Sequence, residues 1–152
     1  MLRVLSLAVG KSFKMVEEYQ VHAFPYPRTY KFDYVTFRKP GSIMTDLYTV
    51  YNTVVFDPIN DDITEATNDL PKEEKARIVA YVDMRKKTRL GFSDSDTPYI
   101  FWVLKWEESL EHKPRLERGH ANPVYYRYED LVSGDRIVIA ASKRDKIDSI
   151  CI

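Results

Sequence analysis

The sequence predicts an α+β fold: a mostly antiparallel sheet with one or two helices packed on it. Three observations carry this expectation. Residues 30–39 and 47–56 are rich in Tyr, Val, Thr and Phe and flank the turn-forming Pro40-Gly41-Ser42. Residues 69–91 have the charge pattern of a helix at both ends. The run from Tyr99 to Leu104 is apolar at every position, as in a strand buried on both faces. At 152 residues with 44% hydrophobic content, a single globular domain over 1–152 is expected.

In chain order, residues 1–16 form an apolar element with Arg3, Lys11 and Lys14 and no acid. They fit a strand or helix docked on the core, or an organellar-targeting segment; docking is preferred. Pro25 and Pro27 impose an extended segment. In 30–39, Tyr30, Phe32, Tyr34 and Thr36 alternate with Lys31, Asp33, Val35 and Phe37, the period of a strand. A hairpin through Pro40-Gly41-Ser42 would join it to 47–56, which Asp57-Pro58 ends. Residues 57–68 read as a polar loop, because Asn, Asp and Thr compete for backbone hydrogen bonds.

For residues 69–91, Asp69 is the expected cap, Pro71 lies in the first turn, and Glu73 and Glu74 suit the positive dipole end. Lys86, Lys87 and Arg89 suit the negative end, and Gly91 can stop the helix. The competing reading is a strand through 77–84, where Ile78, Val79, Tyr81 and Val82 favour β structure. Asp94-Ser95-Asp96-Thr97-Pro98 is a turn or cap. Residues 99–106 read as a central strand, since Glu107 and Glu108 would oppose a helix C-terminus. Residues 107–123 read as a loop around Pro114, Gly119 and Pro123. Residues 124–128 and 136–141 are expected to pair as strands, with Ser133-Gly134-Asp135 between them. A basic tail follows from Lys143.

The chain is neutral overall, with 23 basic and 23 acidic residues, but its charge is segregated. Between 44 and 74 stand Asp46, Asp57, Asp61, Asp62, Glu65, Asp69, Glu73 and Glu74 against Lys72 alone. Between 75 and 91 stand Lys75, Arg77, Arg85, Lys86, Lys87 and Arg89 against Asp83 alone. Complementary blocks can steer a partner or a second copy into register. Helix-dipole pairing accounts for part of the pattern, but not for Asp57, Asp61, Asp62 and Glu65, which precede the helix.

Catalytic signatures are weak. His22, His112 and His120 are scattered, no nucleophile elbow is present, and Cys151 stands in the tail. One Cys and three His do not make a usual zinc site. Asp57, Asp61, Asp62 and Glu65 lack the spacing of a calcium loop, so a solvated acidic loop is preferred and no metal or cofactor is expected. Isolated glycines exclude a phosphate-binding glycine loop. The sharpest enzyme reading is a metal-dependent nuclease with Asp57, Asp83 and Lys86, which requires 77–84 to be a strand. A lone cysteine suits a reducing intracellular compartment, with organellar import left open by residues 1–16.

Two binding readings remain. Arg28, Tyr30, Lys31, Arg38 and Lys39 interleave bases with aromatics, as in RNA or single-strand binding faces. The preferred reading is non-enzymatic: an interaction or assembly protein, a structural subunit of a larger multi-protein complex of virion or organellar type. Its interface would use Tyr26, Tyr30 and Tyr34, or Tyr125, Tyr126 and Tyr128. Asp57, Asp61 and Asp62 would meet Arg85, Lys86, Lys87 and Arg89 of a neighbour.

Overall fold

The computed structural model describes residues 1–88, 91–92, 97–117 and 123–150. The fold is α+β, with mostly antiparallel strand pairing. Among the described residues, eight strands run in chain order as β1 (Arg3–Ala8), β2 (Val21–Pro25), β3 (Tyr34–Arg38), β4 (Asp46–Phe56), β5 (Tyr99–Ser109), β6 (Arg115–Leu116), β7 (Val124–Arg127) and β8 (Ile137–Val138). The α-helices are α1 (Phe13–Tyr19), α2 (Ile63–Ala66), α3 (Lys72–Lys87), α4 (Tyr128–Leu131) and α5 (Ala141–Ile150). The chain divides into two compact units. Unit 1 comprises Met1–Phe13, Tyr30–Thr49 and Trp106–Ile152; unit 2 comprises Lys14–Thr29 and Val50–Lys105.

In unit 1, strands follow the order β4-β3-β1-β7. β1 lies parallel to β3, with Leu5 opposite Val35, and antiparallel to β7, with Leu5 opposite Tyr125. Residues 4–7 are all buried, so β1 has no solvent face. Its one polar residue there, Ser6, donates through Oγ to Met44 Sδ at 3.4 Å. Within residues 1–16, the docked element is the internal strand Arg3–Ala8, as a nearly continuous apolar run favours, and helix α1 begins at Phe13. Register partners share a sheet face, so Val4 and Tyr126 stand together. They join Met44, Leu47, Leu110, Leu131 and Val138 in one core. On the face of Arg3 and Arg127, the Arg127 guanidinium donates from Nε to Asp145 Oδ1 at 2.9 Å and also binds Asp148, both on α5. Arg3 donates to Asp145 at 2.9 Å.

The β3–β4 hairpin forms as expected, with Val35 opposite Tyr48. Its strand is shorter than residues 30–39, beginning at Tyr34. The turn closes where Lys39 and Ile43 pair, and Gly41 supplies φ +87°, which a side chain would resist.

In unit 2, α3 packs on a sheet of order β2-β5-β4. Ile78, Tyr81 and Val82 of the helix meet Val21, Ala23, Phe56, Phe101 and Val103. Phe56 and Phe101 stack with centroids 4.3 Å apart, and Tyr81 meets Phe101 edge-on. Arg77 fastens the helix: Nε donates to Tyr19 O at 3.0 Å, and Nη2 to Gln20 O at 2.8 Å and Leu104 O at 2.6 Å. The strand alternative for 77–84 is overturned, because all of it lies within α3.

Several expectations change. Asp69 does not cap α3; Pro71 holds the cap position without a side-chain bond, and the helix ends at Lys87 with Thr88 as its C-cap, before Gly91. Residues 57–68 contain α2, which Asp62 caps by accepting from Thr64 N and Glu65 N. β5 continues to Ser109, and β6 lies inside the expected loop of 107–123. Residues 124–128 and 136–141 do not pair. β7 joins β1, and β8 pairs parallel with β6, because a helical connection containing α4 replaces the tight turn a hairpin needs. The tail forms α5. The expected turn at Asp94-Ser95-Asp96, together with Arg89, Gly119, His120 and Cys151, lies outside the described residues.

Arg77→Met keeps the helical stem length but removes three hydrogen bonds to backbone carbonyls, and is expected to cost about 2–4 kcal/mol in urea unfolding; a loss near zero would show the three bonds to be dispensable. Asp145 is held below the usual carboxylate range, first by the bond from Arg127 and then by that from Arg3. Its stabilisation is thus complete above the unfolded carboxyl value and is lost as pH falls through the lower folded value. Asp145→Asn should lower Tm at neutral pH, and the gap to wild type should close as the pH falls from about 5 towards about 2. A gap independent of pH would contradict this account.

Candidate interaction surface

The residues expected to form an interface fall into three groups. Several belong to the core or to its bracing. Tyr126 has no exposed surface, because β7 is buried against β1, so it is a core residue. Tyr34 stacks on Tyr128 at 5.2 Å, and the Tyr128 hydroxyl donates to Glu108 Oε2 at 2.9 Å. Glu108 is also the first cause raising the Tyr128 pKa. Tyr125 and Tyr30 are half-buried in the same unit; burial first, then Tyr30, raises the Tyr125 phenol. Arg85 is not a surface cation. Its guanidinium lies over the rings of Phe92, Tyr99 and Tyr81 and donates to Gly91 O, Ala23 O and Tyr81 Oη.

The acidic residues are engaged in turn chemistry. Asp57 accepts from Ile59 N, Asn60 N and Asn60 Nδ2. These bonds, led by that of the Asn60 side chain, hold its carboxyl low. Asp61 accepts from Asp57 N, and Asp62 caps α2. Lys86 adds a weaker pull on Asp57 within the same unit, and Lys87 lies 3.8 Å from Asp83 along α3. Among the described residues, no group of three or more His, Cys, Asp or Glu is placed to hold a metal ion. The nuclease arrangement of Asp57, Asp83 and Lys86 loses its premise, since Asp83 stands on a helix.

Tyr26, Arg28, Lys31, Lys86 and Lys87 remain exposed. Tyr26 and Arg28 lie in unit 2, whereas Tyr30, Lys31, Arg38 and Lys39 lie in unit 1. Arg38 is only 5% exposed, and Lys39 sits over the Phe13 ring at 5.6 Å.

A different surface emerges on β4. Phe56 and Val54 face the core of unit 2, and Asn52 faces the buried Glu74, donating to its Oε1 at 3.1 Å. Tyr51, Thr53 and Val55 therefore face outward, Tyr51 at 68% and Val55 at 43% exposure. β3 begins at Tyr34, and its register with β4 sets that residue opposite Thr49, so β3 runs out before residue 50. From residue 50 onward β4 is an edge strand among the described residues of unit 2. The Thr53 N–H bonds the neighbouring Asn52 Oδ1 at 2.9 Å, a local acceptor rather than a strand. Residues 50–56 carry no charge and no proline, the two guards that edge strands usually have. That absence was legible in the sequence. Its significance was not, because Asn52 is the polar residue and it points inward.

No family model, no curated protein and no solved structure matches this chain.

Proposed function

We propose that this chain is a non-enzymatic assembly protein, a structural subunit that pairs with a second copy through the edge of β4 and so contributes to a larger complex. The observation that carries the reading is the unguarded edge at 50–56, with Tyr51, Thr53 and Val55 outward and exposed. Antiparallel pairing of two copies about Thr53 sets Tyr51 of each opposite Val55 of the other. Aromatic and β-branched residues are favourable cross-strand pairs, and the arrangement is self-complementary about a two-fold axis. Backbone groups of the edge would supply the hydrogen bonds. This contact uses neither the tyrosines around β3 and β7 nor the acidic loop.

Light scattering on a sizing column tests it. Wild type should show a concentration-dependent dimer. Val55→Lys should weaken dimerisation roughly tenfold or more, about 1.4 kcal/mol, with an unchanged circular dichroism spectrum. A wild type that stays monomeric, or a Val55→Lys dimer as tight as wild type, would overturn the proposal.

A further inference from the structure

Unit 1 carries a cleft of about 550 Å³ on the outward face of the β6–β8 pair, with Lys113, Arg115 and Arg136 among its lining residues. The sheet register places its centre. Leu116 and Val138 are register partners, and both pack into the core of the unit. Neighbouring residues of a strand point to opposite faces. Arg115 and its register partner Ile137 therefore face outward, with Ile137 53% exposed. Ile43 bridges Arg115 from the other side. The Arg115 side chain thus stands between two isoleucines, and all three residues line the cleft.

Four other cations of the unit have carboxylate partners. Arg3 and Arg127 bind Asp145, Lys143 binds Glu117, and Arg144 binds Asp130. Lys113, Arg115 and Arg136 are exposed and make no side-chain hydrogen bond or ion pair with any described residue, even though Glu111 lines the same cleft. Lys113 also stands at φ +51°, where glycine or asparagine is at ease and lysine is strained, so a cation is held here at a cost to the backbone. His112, on the wall of the cleft, is pinned through Nε2, which donates to Leu131 O at 2.9 Å because a carbonyl only accepts.

Three cations without counter-ions attract an anion, and the two isoleucines offer an apolar contact that a bare phosphate would leave unused. Phe, Tyr and Trp are absent from the described lining, so a single-stranded nucleic acid would find no stacking platform. Carboxylates on either side of an aliphatic residue match both features at once. We infer that this cleft docks an acidic peptide segment of a partner protein, with its carboxylates on Lys113, Arg115 and Arg136 and an aliphatic side chain against Ile43 and Ile137. The site shares no residue with the β4 edge and stands whether or not that edge pairs.

Fluorescence anisotropy of a labelled peptide Asp-Glu-Ile-Glu-Asp, titrated with the full chain, tests the inference. Saturable binding is expected, tighter than that of the control peptide Asp-Glu-Ser-Glu-Asp. Arg115→Glu should weaken it roughly tenfold or more, and Ile137→Ser should remove the preference for the isoleucine peptide. Both positions are exposed, and circular dichroism checks that the fold is kept. Lys113→Gly should weaken binding while Tm does not fall, as for a residue held for binding rather than stability. Absence of saturable binding, equal binding of the two peptides by wild type, or binding unchanged in Arg115→Glu would overturn the inference. A single-stranded oligonucleotide and vesicles rich in phosphatidylserine serve as comparison probes. Binding of either without the isoleucine peptide would also overturn it, in favour of a nucleic-acid or membrane surface.

Discussion

Unit 1 depends on burying β1 on both faces. A strand enclosed on both sides must have strand partners on both edges and a layer over each face. β3 and β7 satisfy the edges. The cluster around Met44, Leu131 and Val138 covers the face of Val4. On the other face, α5 is held by carboxylates that bind Arg3 and Arg127. That link is electrostatic, so acid loosens the hold on α5 while Leu5 and Leu7 stay buried on the same face of β1.

Arginine recurs as the fastening device, with a different partner each time. Arg127 binds carboxylates across unit 1. Arg77 binds three carbonyls in unit 2, and Arg85 combines carbonyl bonds with aromatic rings. A planar guanidinium with five donors can satisfy several fixed acceptors at once, which lysine cannot. The described residues of the basic block thus include two kinds. Arg77 and Arg85 face inward and brace the unit, while Lys86 and Lys87 face water. Arg38, the last residue of β3, is a further buried arginine.

The hairpin of β3 and β4, the helix over 72–87 and the strand from Tyr99 were legible because each has a strong local signal. Turn residues flank the hairpin, charges match the dipole of the helix, and β5 opens with an unbroken apolar run. The pairing of β7 with β1 was not legible, since it joins segments more than 100 residues apart and nothing local records it. The candidate surface was half legible. The uncharged stretch of 50–56 can be read directly, but its outward face cannot, because Tyr, Thr and Val suit either face of a strand. The aromatic residues were ambiguous for the same reason: Tyr126 is fully buried and Tyr34 stacks on Tyr128, whereas Tyr26 is exposed.

The strong local signals were therefore determined by the sequence alone: the hairpin of β3 and β4 with its turn, the helix over 72–87, the strand from Tyr99, and the segregation of charge along the chain. Tertiary structure decided which face of each element is buried, and hence whether a given Tyr or Arg meets the core or the solvent. The physical reason is that propensity and capping act over a few residues. Burial, by contrast, depends on partners supplied from distant parts of the chain.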